Sequence, residues 1–112
     1  MNILFLCTAN LNRSKSAEVL CISMNDNNKY KSAGLSAKYT TMNHSILCTE
    51  ELLSWADKVY IFEKMHLDRI QHYTQNKYTS KVFNLDIEDK YEYMNEELIQ
   101  LLKLKILEYR NV

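Results

Sequence analysis

The sequence predicts an α/β chain: a four-stranded parallel sheet with helices on both faces, three layers within a single domain over residues 1–112. Three observations carry that expectation. Short apolar, β-branched or aromatic runs at 3–6, 30–33, 58–62 and 81–85 read as strands. Stretches of helical periodicity alternate with them. The chain has no proline, internal repeat or low-complexity tract, so nothing marks a linker between domains.

Taken in order, Ile3, Phe5 and the two leucines between and after them form an unbroken apolar run, as suits a strand buried on both faces. It ends in Cys7, and a polar loop leads to a helix from about residue 14 to 24, with Ala17, Leu20, Cys21 and Met24 inward. The Asn-Asp-Asn-Asn run at 25–28 stops that helix. A short strand at 30–33 is closed by Gly34, the single glycine, and 35–48 carries no clear element. Thr49 caps a helix through about residue 56, with Glu50 and Glu51 in the favourable first turn and Leu52, Leu53 and Trp55 available for burial. After the strand at 58–62, residues 63–74 return to helix with Leu67 and Ile70 inward. His66 and His72 fall on different faces of that helix, both expected at the surface, and no cysteine or carboxylate completes a zinc spacing. The fourth strand, 81–85, precedes a last helix capped by Asn95, with Glu96 and Glu97 in its first turn and Ile99, Leu102, Ile106 and Tyr109 as its inner stripe.

Composition narrows the functional classes. With 14 basic and 14 acidic residues the net charge is zero, and without a dense basic run the electrostatic case for nucleic acid is missing. Apolar stretches are too interrupted for a membrane span, and no basic segment precedes the first one as in a signal peptide. Three cysteines at irregular spacing fit a reducing compartment, hence the cytoplasm, better than a disulfide framework. Oligomeric state leaves no mark on the sequence.

The chemistry concentrates in 3–22, ILFLCTANLNRSKSAEVLCI. Backbone N–H groups of Thr8, Ala9, Asn10, Leu11, Asn12 and Arg13, curled between a strand and a helix, converge on one point, and the helix N-terminus adds its own unpaired donors. Such a point attracts a tetrahedral oxyanion. Cys7, beneath it, would have its thiolate stabilised by the same donors and by the Arg13 cation, which makes it a nucleophile. The planar fork of Arg13 suits two phosphate oxygens better than an ammonium does. Ser14 either caps the helix or gives its hydroxyl to the sulfur. A nucleotide-binding phosphate loop is excluded, because no G-x-x-x-x-G-K-[ST] is present.

In a parallel sheet the carboxyl end of the fourth strand opens on the same side as Cys7. Asp86-Ile87-Glu88-Asp89-Lys90-Tyr91 follows that strand. A carboxylic acid from this segment could protonate a departing ester oxygen and then activate water.

The run Cys7-Thr8-Ala9-Asn10-Leu11-Asn12-Arg13-Ser14, followed by Ala17-Glu18, resembles the signature loop of the low-molecular-weight protein tyrosine phosphatases, C-x-x-N-x-x-R-S with a downstream A-E. The resemblance spans most of the chain and is closest to a compact bacterial branch. It implies a low-molecular-weight phosphatase-like fold, with Cys7 as nucleophile, Arg13 as phosphate clamp, Asn10 shaping the loop in a left-handed conformation and Ser14 as thiolate partner. The family's general acid lies in a D-P-Y triplet. Asp89-Lys90-Tyr91 matches it with Lys90 for proline, so Asp89 is the first choice and Asp86 the second. Tyr91, and after it Tyr93, could stack on an aromatic substrate ring, and Tyr39 could wall the slot. Two departures stand out: Ala9 replaces a frequent glycine, and Asn12 replaces a second cysteine, so no protective disulfide can form there. The chain is also shorter than typical members.

The activity so implied is phosphomonoester hydrolysis through a phosphocysteine, on phosphotyrosine proteins or small aryl phosphates, without metal or cofactor, in signalling. Two alternatives are an arsenate reductase-like thiol enzyme, against which the absence of a close cysteine pair weighs, and a catalytically weak phosphoprotein-binding module.

Overall fold

Four strands and five helices alternate along residues 1–109, the part of the chain that this computed structural model describes. In order they are β1 (Asn2–Cys7), α1 (Arg13–Ser23), β2 (Lys29–Gly34), α2 (Ala37–Met42), α3 (Glu50–Trp55), β3 (Lys58–Ile61), α4 (Lys64–Thr74), β4 (Val82–Asn84) and α5 (Glu96–Glu108). The strands are all parallel, in the order β2-β1-β3-β4. Their carboxyl ends therefore share one edge, with Cys7 at the end of the central strand β1.

The two-residue period of β1 divides the core. Ile3, Phe5 and Cys7 join Ala17, Leu20 and Cys21 of α1 and Leu98 and Leu102 of α5 on one face. Leu4 and Leu6 join Val59, Ile61, Leu53 of α3 and Ile70 of α4 on the other. Leu4, Phe5 and Leu6 are fully buried. Burial of side chains of this size contributes roughly 1.5–3 kcal/mol each. Register adds an aromatic ladder, since Phe5 sits opposite Tyr60 and Tyr60 opposite Phe83. Their ring centroids are 5.5 and 6.0 Å apart. Phe5 also stacks on Tyr30 of β2, 6.2 Å away, so β1 is held from both sides up to its last residue, Cys7.

Several boundaries differ from the expected ones for identifiable reasons. α2 occupies part of the stretch with no clear element. Ser36 starts it by accepting from Tyr39 N–H. Met24, expected inward, is half exposed, because α1 ends at Ser23 and Met24 is already its C-cap. A 3-10 turn (Thr79–Lys81) takes up the start of the expected fourth strand. On α5 the fully buried residues are Leu98 and Leu102, while Ile99, Ile106 and Tyr109 pack at the margin of the same cluster. All four residues of the expected stripe therefore join the cluster, and Leu98 is added to them. Among the described residues no helix is long and apolar enough to cross a membrane.

Candidate active site

The loop from β1 to α1 is built around Asn10. Its φ is 53°, in the left-handed region that Asn tolerates better than most residues. That turn drives its side chain inward, where Nδ2 donates to Ser14 Oγ and to Ser32 Oγ, each at 2.9 Å, and Oδ1 accepts from Ile46 N–H. One amide thus ties the loop to α1, to β2 and to the segment after α2. Ser32 in turn donates to Glu18 Oε1 at 2.7 Å, and Lys15 pairs with the same carboxylate.

This network orients Ser14. The amide nitrogen of Asn10 can only donate, so Ser14 Oγ accepts from it, which leaves the Ser14 proton available to Cys7 Sγ, 3.0 Å away. Of the two roles open to Ser14, capping is excluded: α1 starts one residue earlier, with Asn12 at the N-cap and no side-chain cap bond. The first-turn amides of α1 are therefore left uncapped by Asn12, as an anion site requires.

Arg13 lies at the first position of α1 and is 1% exposed. Its guanidinium meets Glu63 Oε2 at 3.0 Å, donates to the Ile87 carbonyl at 2.8 Å and approaches Asp89 Oδ1 at 3.7 Å, stacked 5.6 Å from the Phe62 centroid. Buried arginine needs such partners, and here they come from the ends of β3 and β4. Glu63, which the sequence did not single out, fixes the plane of the guanidinium.

Cys7, Thr8, Ala9, Leu11, Asn12, Arg13 and Asp89 line one cleft of about 130 Å³. A larger cavity of about 360 Å³ lies at the opposite end of the sheet, between α1 and α5. Chemistry rather than volume singles out the smaller one. Of the carboxylates after β4, Asp89 reaches the cleft, with its side chain 60% exposed. Asp86 does not line it: the residue adopts φ 55° and its amide donates back to Asn84 Oδ1.

Tyr91 is placed differently from expectation. It is 9% exposed and belongs to the core cluster shared by α1 and α5, so its ring is packed away from the cleft lining instead of being offered to a substrate. Tyr39 and Tyr93 are exposed, and neither lines the cleft.

The second departure is His66. Expected at the surface, it is fully buried at the first turn of α4, whereas His72 is exposed. Its Nδ1 accepts from Phe62 N–H at 3.2 Å, and its Nε2 lies 3.1 Å from Thr8 Oγ1. Burial first, and then the Arg13 cation, push its pKa down to about 4. The sequence signal was its position, since the first turn of a helix that follows a central strand faces the carboxyl edge of the sheet.

A pH dependence follows. The folded protein holds His66 neutral, so its contribution to stability is complete above pH 6.5 and is lost as pH falls towards 4, where the unfolded chain takes up a proton that the folded one refuses. Urea titrations are expected to show a loss of about 3 kcal/mol from this group across that window. A His66→Gln variant is expected to show a shallower slope.

Gly34 matters through close approach. It pairs with Cys7, and a Cβ there would lie 2.6 Å from Thr40 Cγ2, 2.8 Å from the Thr8 carbonyl oxygen and 3.0 Å from the Ala9 carbonyl carbon. Two of those contacts are the backbone of the loop between β1 and α1. Gly34→Ala is expected to cost roughly 1–3 kcal/mol of stability. Anion affinity, followed by titration with inorganic phosphate, is expected to fall with it.

The remaining cysteines sit apart. Cys21 packs with the α1 and α5 cluster and Cys48 against the opposite one, so the sheet lies between them, and burial pushes both thiols up to about 12.

No protein-family model matches the sequence, and no curated protein does. Solved structures do match. The chain is similar to a low molecular weight protein tyrosine phosphatase from Streptococcus pyogenes, with a TM-score of 0.79 and 18% identity, covering 99% of this chain and 93% of that one. It is similar to the tyrosine phosphatase Wzb from Escherichia coli K30, solved with phosphate, at 0.76 and 21%, covering 96% and 94%. The YwlE arginine phosphatase from Geobacillus stearothermophilus follows at 0.70 and 21%, covering 99% and 97%. Over nearly its whole length the chain has the low-molecular-weight protein tyrosine phosphatase fold.

Proposed function

We propose that this chain hydrolyses phosphomonoesters, with phosphotyrosine and other aryl phosphates as its substrate class, through a covalent phosphocysteine. One observation carries the reading: the Cys7 sulfur lies 3.0 Å from the Ser14 hydroxyl, in a cleft that Arg13 and Asp89 also line.

The phosphoryl oxygens take the amides of Thr8 to Arg13 and the Arg13 guanidinium, so charge that builds in the transition state meets donors already in place. Cys7 Sγ attacks phosphorus opposite the ester oxygen. The S–P bond forms, the P–O ester bond breaks, and the Asp89 carboxyl gives its proton to the departing phenol. Water then enters, Asp89 takes a proton from it, and its oxygen displaces the sulfur. Inorganic phosphate leaves, and the Ser14 hydroxyl receives the returning thiolate. Asp89 ends the cycle protonated as it began.

The neighbours bear the names of tyrosine and of arginine phosphatases, so the test sets an aryl phosphate beside a phosphoarginine peptide, with a chelator present throughout. Release of phosphate from the aryl ester, blocked by vanadate, upholds the reading; release from phosphoarginine alone replaces the substrate class. Tight phosphopeptide binding without turnover makes the protein a binding module instead. An arsenate reductase needs a thiol relay, and against that stand Cys21 and Cys48 on opposite faces of the sheet. The three unpaired cysteines suit a reducing compartment, and we assign the protein to phosphotyrosine signalling in the cytoplasm.

A further inference from the structure

We propose that His66 is a positioning residue that turns the hydroxyl proton of Thr8 towards the bound phosphoryl group, so that Thr8 serves as a side-chain donor to the anion. This deepens the phosphatase reading and rests on it. The argument is one of proton bookkeeping. Phe62 N–H can only donate, and it points at His66 Nδ1 from 3.2 Å, so Nδ1 must be bare. A neutral imidazole then carries its proton on Nε2, which faces Thr8 Oγ1 at 3.1 Å. A hydroxyl that accepts a hydrogen bond there has its own proton left to give. Thr8 lines the cleft beside Cys7, so the available acceptor is whatever oxygen enters that cleft.

The surroundings hold this arrangement. Thr8 is β-branched and stiff about χ1, and its carbonyl accepts from Ser36 N–H at 3.0 Å, which fixes the backbone from the far side. The charged groups facing His66 are Arg13 from α1, Glu63 and Arg69 at the start and middle of α4, and Asp89 after β4. The two arginines oppose a second proton on the ring. Glu63 Oε2, although 3.7 Å from Nε2, is committed to Arg13 at 3.0 Å. A second proton would also set Nδ1–H against Phe62 N–H, donor against donor. The ring is therefore kept as a one-directional donor to Thr8 through the working pH range.

The test is a double-mutant cycle of Thr8→Val and His66→Asn, read as kcat/KM on an aryl phosphate and, without turnover, as the affinity for inorganic phosphate that protects Cys7 from iodoacetamide. Each single change is expected to lower both quantities about tenfold, the loss of one hydrogen bond to a charged group. The pair is expected to be no worse than either alone, because both remove the same contact. His66→Gln, whose amide nitrogen reaches towards the place of Nε2, is expected to recover part of the loss. Equal factors for His66→Asn with threonine or valine at position 8 would overturn the proposal, as would an unchanged phosphate affinity in Thr8→Val. If His66→Asn does not fold, Thr8→Val against Thr8→Ser decides: loss in the first with retention in the second upholds it, and equal affinities sink it. Coupling in phosphate affinity with no turnover on any ester leaves the positioning role standing and removes the hydrolase reading.

Discussion

Cys7→Ser is expected to stop turnover while leaving oxyanion binding in place. Loss of an enzyme's nucleophile can lower kcat on the order of 10⁶-fold, because a hydroxyl at this place has neither the polarisability nor the ionised form of the thiol. Binding should survive, since the donors are the loop amides and Arg13, and none of their contacts passes through the sulfur. Isothermal titration with inorganic phosphate should therefore give an affinity close to that of the parent protein, beside absent phosphate release. Arg13→Lys should behave in the opposite way, losing both. An ammonium cannot serve Glu63 Oε2, the Ile87 carbonyl and a phosphoryl group together, so the half-buried Glu63 carboxylate and the buried Ile87 carbonyl are left short of donors. Loss of kcat/KM on the order of 10³-fold is expected, by analogy with other arginines that neutralise a transferring phosphoryl group, accompanied by a lower urea midpoint. Full phosphate affinity in Arg13→Lys would contradict the placement of the anion.

What could be read from the sequence was what local chemistry dictates. The apolar run before Cys7 follows from a few consecutive residues and the parallel direction of the strands from their alternation with helices, while the left-handed Asn10 comes from the resemblance of the loop to a known signature. The parts that were not legible depend on distant neighbours. The residue type of a lone histidine in a charged helix does not mark burial, so only the place of His66 after a central strand hinted at it, and the hydroxyl it meets, that of Thr8, is 58 residues away in sequence. Tyr91 looks like a loop tyrosine among acidic residues until α1 and α5 close over it. α2 is six residues long with one buried side chain, the polar Thr40, so it has no apolar period to detect. The sequence LIQLLKLKILE is apolar beyond its expected stripe, and only packing against β1 and α1 adds Leu98 to the buried side. Glu63 is the same case at the site itself: its role exists only because β3 ends beside the start of α1.

Asp89→Ala should slow esters in proportion to how poor their leaving group is. A phenol that is already a good leaving group departs as the phenolate with little help, whereas phenyl or tyrosyl phosphate needs a proton as the P–O bond breaks. The variant is expected to lose roughly 10²–10⁴-fold on the poor leaving groups and far less on p-nitrophenyl phosphate, so the plot of log kcat/KM against phenol acidity steepens. Asp86→Ala is expected to leave that slope alone, because Asp89 lines the cleft and Asp86 does not. The 3.7 Å approach of Asp89 to Arg13 adds a second observable. A phosphoryl group that occupies the guanidinium is expected to displace the Asp89 carboxylate from that contact. Removing the carboxylate also removes a competitor for Arg13, so Asp89→Ala should bind inorganic phosphate at least as tightly as the parent. Slower turnover joined to undiminished phosphate affinity would mark Asp89 as an acid rather than a ligand. A steeper slope in Asp86→Ala instead would move the proton donor to the other carboxylate and require the 86–91 segment to rearrange when substrate binds.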